Sequence, residues 1–192
     1  MVLREVDLGH NGRRFLDPLG TEVPFDGTSP ITWRLAANVL VTRGGKVLMV
    51  RQPPEWGGRW ELPGGGFESG ETLLEGAARE CREETGYRFA ASSPTPFHVE
   101  EAWFGTSRGG FCHAVIFVFR GEAAGEVDRE WTQDHGEIVD IAWIDPKDLS
   151  AVTIRSIHWP ALQKAGLVYT KATMAPAAPP ASDFGLRTSD LV

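Results

Sequence analysis

The sequence predicts an α/β fold: a single domain of strands and a few helices, with an extended arm before it and a tail after it. Three observations predict this. The apolar, β-leaning runs "RLAANVLVT" and "KVLMVRQ" are separated by Gly44-Gly45, a hairpin turn signal. An acidic stretch of helical character follows three successive glycines and ends at Gly86. Beyond it, "GFCHAVIFVFRG" reads as the strongest strand of the chain.

Taken in order, residues 1–31 form the arm, with extended pieces at Arg13–Leu16 and Glu22–Phe25 flanking the turn-like "DPLG". The domain spans 32–171. It opens with the two runs above and continues through "RWELPGGG", a short strand ending in a glycine loop. Ser69 or Thr72 caps the helix that follows. "GYRFA", "FHVEEAWFG" and "GEIVDIAWI" read as further strands, the last stopped by Asp145-Pro146. A closing helix spans Ser156 to Leu167 with Pro160 in its first turn. Residues 172–192 are an Ala/Pro-rich tail without periodicity.

The chain has 192 residues, 42% hydrophobic and 23% charged, as in a globular protein able to bury a core. Its net charge of −7 argues against a grip on nucleic-acid polymers, which are held by clustered Lys and Arg. No run approaches the roughly 18 apolar residues of a membrane span, and "MVLREVDLGHNGRR" is too charged for a secretory signal. Cys81 and Cys112 lack a metal-binding or redox spacing and read as buried reduced thiols, so the expected compartment is cytoplasmic.

The acidic helix poses a question of its own. Between Glu68 and Glu84 lie Glu68, Glu71, Glu75, Glu80, Glu83 and Glu84, against only Arg79 and Arg82. With about 100° per residue, Glu84 falls about 40° from Glu80 on one side and Glu83 about 60° on the other. Leu74, Ala77, Ala78 and Cys81 make a separate apolar stripe, while Arg82 and Glu75 point to solvent. A solvated acidic face is the ordinary reading of such a run. Against it, Glu80 and Glu84 are like charges at i, i+4, costing roughly 0.2–0.5 kcal/mol if nothing neutralises them, and they lie at the unfavourable end of the helix dipole. A hard divalent cation among these oxygens resolves both objections. The glycines at 64, 65 and 66 let backbone approach that cluster closely.

From Gly65 to Tyr87 the spacing is Gly65, five residues, Glu71, seven residues, then Arg79-Glu80-Cys81-Arg82-Glu83-Glu84-Thr85-Gly86-Tyr87. This resembles the signature of the Nudix hydrolases at every fixed position, and the similarity in patterning runs from about Arg34 to Leu149. The resemblance implies an α/β/α sandwich around a mixed β-sheet. It also implies Mg²⁺- or Mn²⁺-dependent hydrolysis of the pyrophosphate linkage in a nucleoside diphosphate derivative. Carried over by position, Glu83 and Glu84 would be metal ligands, Glu80 a ligand or a base for water, and the Gly64 carbonyl a further ligand. Arg79 would orient the carboxylates, and Glu71 would tie loop to helix. A homodimer, with the arm exchanged or packed between copies, is expected by the same analogy.

Outside the signature, Glu137 is the first candidate for a further catalytic acid, ahead of Asp134 and Glu130. Glu100 and Glu101 alternate faces of a strand, so one of them can reach the site. Arg51 and the Gly65 backbone are candidate phosphate contacts, and Trp103, Phe104 and Trp131 candidate stacking partners for a base. His98, His113 and His135 show no metal-ligand pairing. The substrate-subgroup markers of the resembled family are absent at Trp103-Phe104. Two other readings stay open: an isopentenyl diphosphate isomerase-like enzyme, which needs a cysteine in the site, and a non-catalytic nucleotide-binding module.

Overall fold

The computed structural model describes residues 15–16, 22–105, 110–128, 137–149 and 154–168. Two-residue strands β1 (Phe15–Leu16) and β2 (Glu22–Val23) pair antiparallel, as the flanks of "DPLG" suggest. The chain then enters β3 (Ile31–Arg43), turns through Gly44 and Gly45, both at positive φ (55° and 78°), and returns as β4 (Lys46–Arg51). Two short strands follow, β5 (Trp60–Glu61) and β6 (Gly64–Gly66), then helix α1 (Leu73–Thr85). Strands β7 (Arg88–Ala91), β8 (His98–Gly105), β9 (Phe111–Ala124) and β10 (Asp140–Ile144) complete the sheet. Helix α2 (Trp159–Lys164) closes the domain.

The sheet is mixed, in the order β10-β4-β3-β9-β8-β1-β2. Strand β3 runs parallel to β9 along nearly its whole length, Ile31 opposite Phe111 through Thr42 opposite Glu122. Its other edge is divided: β4 takes Thr42 and Arg43, while β6 takes Ala36 to Asn38. Strand β9 divides likewise between β8 and β7. Each long strand therefore serves two partners along one edge, which lets the sheet curl.

Alternation along the strands builds two cores. Ala36, Leu40, Val47, Met49, Ala114, Ile116 and Val118 face α2, meeting Ala161 and Leu162. Ala37, Val39, Val41, Leu48 and Phe119 face α1, meeting Ala77 and Cys81. The α/β/α sandwich is thus what the chain forms. At the arm, Phe15, Phe25 and Phe111 form an aromatic cluster with ring centroids 4.7–5.1 Å apart.

Three local readings change. "RWELPGGG" is not one strand and a loop: β5 pairs with β4, and the three glycines are themselves a strand paired with β3. Pro63 separates the two pieces because it has no N–H to continue the ladder. The closing helix is shorter than expected, a 3₁₀ turn at Ser156–His158 leading into α2, because Pro160 supplies no helical hydrogen bond and Gly166 (φ 70°) ends the run. Arg82 does not extend freely to solvent; its Nη2 donates to Asp128 Oδ2 at 3.1 Å. Among the described residues no helix is long and apolar enough to cross a membrane.

Candidate active site

Helix α1 starts with a reciprocal cap. Thr72 Oγ1 accepts from the Glu75 backbone N–H, and the Glu75 carboxylate accepts from the Thr72 N–H at 2.8 Å. Ala77 and Cys81 are fully buried against the sheet, which fixes the rotation of the helix and holds Arg79, Glu80, Glu83 and Glu84 along the edge occupied by β6.

Arg79 is the hub of this edge. Its Nε donates to Glu71 Oε1 at 2.8 Å, Nη1 to Glu83 Oε2 at 2.8 Å and Glu80 Oε1 at 3.1 Å, and Nη2 to the Gly66 carbonyl at 3.0 Å. Glu71 also accepts from the Glu68 N–H at 2.9 Å, so it ties the glycine segment to the helix. The Arg79 guanidinium holds the Glu71 carboxyl below its ordinary range, and Glu71 in turn raises the pKa of Arg79. Both residues thus do what the signature implies for them.

Glu84 behaves oppositely. Its Oε2 accepts from the Gly64 N–H at 2.8 Å, yet burial pushes its pKa well above the usual carboxylate range. The nearby charges of Glu61, Glu80 and Glu137 push it further. Glu80 is also raised, first by burial, with Glu83 and Glu137 adding repulsion that Arg79 only partly offsets. The exposed loop residue Glu137 is therefore brought within electrostatic reach of both carboxylates.

Backbone crowding explains two of the glycines. A Cβ on Gly64, at φ 145°, would lie 2.2 Å from the Ala37 carbonyl oxygen, so no side chain fits. A Cβ on Gly65 would lie 2.7 Å from the Glu80 carboxyl carbon, so that carboxylate rests directly on the main chain.

The donor set here is all hard oxygen, and the repulsion among Glu61, Glu80, Glu84 and Glu137 lacks enough positive charge to balance it, which suits Mg²⁺ or Mn²⁺. As the side chains stand, among the described residues no three acidic, His or Cys groups converge on one point. Arg79 bridges Glu80 to Glu83, and Glu84 is turned onto the Gly64 N–H.

Other candidates are dispersed. Arg51 is exposed, its Nε donating to the Gly58 carbonyl at 3.1 Å. Trp103 and Phe104, adjacent on a strand, face opposite sides. Trp103 stacks on His113 at 4.6 Å, and the Trp33 ring lies 4.2 Å from the same imidazole, on the α1 side of the sheet. Phe104 lies on the α2 side beneath the Arg155 guanidinium, 5.0 Å away. Glu100 and Glu101 do alternate, but each meets a histidine: Glu100 with His98 at 2.8 Å and Glu101 with His113 at 2.9 Å. Glu130, Trp131, Asp134 and His135 lie outside the described residues. Cys81 is sealed, and burial pushes its thiol up to about 12, which removes it as a catalytic cysteine of the isomerase type.

One cluster escapes sequence reasoning altogether. Glu61 on β5 accepts from Arg155 Nη1 at 3.1 Å, and His158 Nε2 stands 3.6 Å from the same oxygen. His158 is 2% exposed, and among the described residues neither ring nitrogen has a hydrogen-bond partner. Burial acts to raise the Glu61 pKa, but His158 and Arg155 outweigh it and leave the carboxyl below its ordinary range. The available signal was a charged residue between Trp60 and Leu62, where a strand into the core should be apolar.

Comparison with known proteins agrees with this geometry. The NUDIX domain family model matches residues 32–165. The chain belongs to the Nudix family. A MutT-like protein of Streptomyces ambofaciens is 34% identical over 128 residues, covering 66% of this chain and 73% of that protein. The nucleoside triphosphatase NudI of Escherichia coli is 30% identical over 117 residues, covering 57% and 80%. Among solved structures, a NUDIX hydrolase of Nitrosomonas europaea aligns with a TM-score of 0.57 at 22% identity, over 69% of this chain and 88% of the other. A MutT NUDIX hydrolase of Burkholderia pseudomallei aligns at 0.55 and 24%, over 69% and 98%. These two show the shared fold. Family membership and the relatives make this chain a Nudix-type pyrophosphohydrolase.

Proposed function

We propose that this Nudix enzyme uses a divalent cation, Mg²⁺ or Mn²⁺, to hydrolyse the pyrophosphate linkage of a nucleoside diphosphate derivative, with nucleoside triphosphates as the first class to test. One observation carries the proposal: half-buried Glu84 is held on the Gly64 N–H at 2.8 Å within reach of the charges of Glu61, Glu80 and Glu137, which with desolvation raise its pKa, an arrangement that destabilises the fold unless positive charge arrives. The name of the nucleoside triphosphatase relative supports the nucleotide part.

Glu80, Glu83, Glu84 and the Gly64 carbonyl would hold the metal. When bound, it neutralises diphosphate oxygens and polarises phosphorus, which a protein of net charge −7 cannot do alone. Glu80 rests on the Gly65 backbone with its pKa raised, first by burial, so it is suited to take the proton of an attacking water. Glu137, whose charge reaches Glu80 and Glu84, is the second acid proposed for that role. The water oxygen bonds to phosphorus as the bridging P–O bond breaks, its electron pair leaving with the bridging oxygen, so the products are a nucleoside monophosphate and the phosphate or phosphate ester that was joined to it. The Gly65 backbone and Arg51 remain proposed phosphate contacts, and Phe104, beneath the Arg155 guanidinium, the stacking residue we carry forward.

The test is a panel of nucleoside triphosphates, nucleoside diphosphate sugars, dinucleoside polyphosphates and ADP-ribose, each with Mg²⁺ and Mn²⁺. Turnover of at least one, abolished by a chelator, is expected; no turnover of any would refute the proposal. We propose a homodimer as the working assembly, supported by the exposure of Ile31, Trp33, Leu35 and Val99, and a 21.0 kDa particle in light scattering would refute it. The two free thiols support a reducing, cytoplasmic setting.

A further inference from the structure

We infer that the cavity between the outer flank of α1 and strand β7 binds a phosphate-bearing anion through Arg82 and Arg88. The site lies outside the proposed cation cradle and needs neither metal nor turnover.

The cavity measures about 310 Å³ and is lined by Ala78, Arg79, Arg82, Glu83, Arg88 and Phe89. Small-ligand sites begin at roughly that size, about 300 Å³. Three guanidinium groups meet one carboxylate there, in a chain whose net charge is −7. That carboxylate is already engaged, because Glu83 Oε2 accepts from Arg79 Nη1 at 2.8 Å. Arg79 in turn is committed to Glu71, Glu80 and the Gly66 carbonyl. Excess positive charge therefore remains on the wall formed by Arg82 and Arg88.

The two arginines are positioned from different elements. Arg82, on α1, donates through Nη2 to Asp128 Oδ2 at 3.1 Å, and the Asp128 N–H donates to the Gly86 carbonyl at 2.9 Å. Arg88, which opens β7, lies against the main chain of Gly125. A Cβ at that glycine would stand 2.7 Å from Arg88 Nη2. Gly125 has φ 73°, so one residue supplies both the turn and the room for the guanidinium. Among the described residues no hydrogen bond or ion pair engages the Arg88 guanidinium. Arg88 is exposed, so an anion reaches it directly from solvent. Two like charges on one wall repel each other until an anion joins them.

The chemistry then narrows the ligand. A guanidinium only donates, in a planar fork that matches phosphate oxygens. Two forks on one wall suit a group with three terminal oxygens and about −1.5 to −2 charges, as a phosphate monoester carries at pH 7. Phe89 gives an apolar side to whatever bears the phosphate.

Calorimetry on the full chain tests this, with no divalent cation added and about 0.1 M salt to screen weak surface contacts. Inorganic phosphate, pyrophosphate and AMP are the separate titrants. Without a cation the signature carboxylates repel all three, so the catalytic edge stays silent. The wild type should bind at least one of them, and the tightest shows whether the phosphate comes free or on a nucleotide. Arg88→Gln, at an exposed position, should weaken that binding about tenfold or more, and Arg88→Lys should recover part of it by restoring charge without the fork. Arg51→Gln, at the proposed phosphate contact of the catalytic site, should stay within about twofold of wild type. No binding by the wild type overturns the inference, and so does an affinity unchanged in Arg88→Gln. A loss in Arg51→Gln that Arg88→Gln does not share also overturns it, by placing the anion at the catalytic edge.

Discussion

The acids that flank the start of α1 and those near its end are the same residue type in opposite circumstances. Glu71 holds Arg79 and the Glu68 N–H, Glu75 holds Thr72, and both carboxyls sit below their ordinary pKa. One and a half turns further on, Glu80 and Glu84 sit above theirs, with burial and like charge as the causes. The first pair is satisfied inside the protein and contributes to the fold. The second keeps unbalanced negative charge even with Arg79 and the Gly64 N–H in place, and it is the pair proposed to hold the cation.

This contrast can be broken most severely at Glu84. Glu84→Gln keeps the shape and the Gly64 N–H contact but removes a charge, and kcat should fall about a thousandfold or more, roughly 4 kcal/mol of barrier. Steady-state kinetics on whichever nucleotide the panel identifies would show it; unchanged turnover would place Glu84 with the structural acids.

Arg79 joins the two groups. Arg79→Ala deletes hydrogen bonds to Glu71, Glu80, Glu83 and Gly66 at once, and urea denaturation should report a loss of about 2–3 kcal/mol. A loss under about 0.5 kcal/mol would mean that the acids tolerate one another without it.

Acidity should separate the pairs by sign. A carboxyl with a raised folded-state pKa gives stability that is present below its unfolded value of 4.5 and lost as pH rises through the folded value. Glutamine is neutral throughout. In chelator, Glu84→Gln should therefore melt above the wild type at pH 8, and the gap should close towards pH 4.5. Glu71 and Glu75 work the other way, their contribution present above 4.5 and lost as pH falls through their lowered values. A gap that is constant with pH would contradict the contrast.

The gentlest test is the cap. Thr72→Ala should lower stability by about 1 kcal/mol and leave kcat within about twofold, because it touches only the satisfied end of the helix.

How much of this was legible follows from sequence distance. The α1 stripe, its glycine stop and the carboxylate face are all local, set within a few turns by periodicity, and Thr72 was one of two caps the residues allowed. Glu61 was not legible because its partners lie 94 and 97 residues away, at Arg155 and His158, and only the folded sheet brings them together. Trp103 and Phe104 part company for a different reason. Both are aromatic and adjacent, but the strand pleat sends one to each face, so only Phe104 approaches the Glu61 cluster. The glycines at 64–66 looked like a loop because β-propensity argues against them. Register with β3, and the need for a main chain without side chains against Ala37 and Glu80, overrode that preference.

The depth of Cys81 makes it a built-in reporter. With no exposed surface and a thiol held at about 12, it is inert to alkylating reagents and peroxide while α1 stays docked. In a Cys112→Ser background, its labelling rate becomes a stopwatch for undocking of the very helix that carries Glu80, Glu83 and Glu84. Mn²⁺ should lengthen the labelling half-life, and inorganic pyrophosphate added with it should lengthen it again, giving a readout of occupancy that needs no turnover.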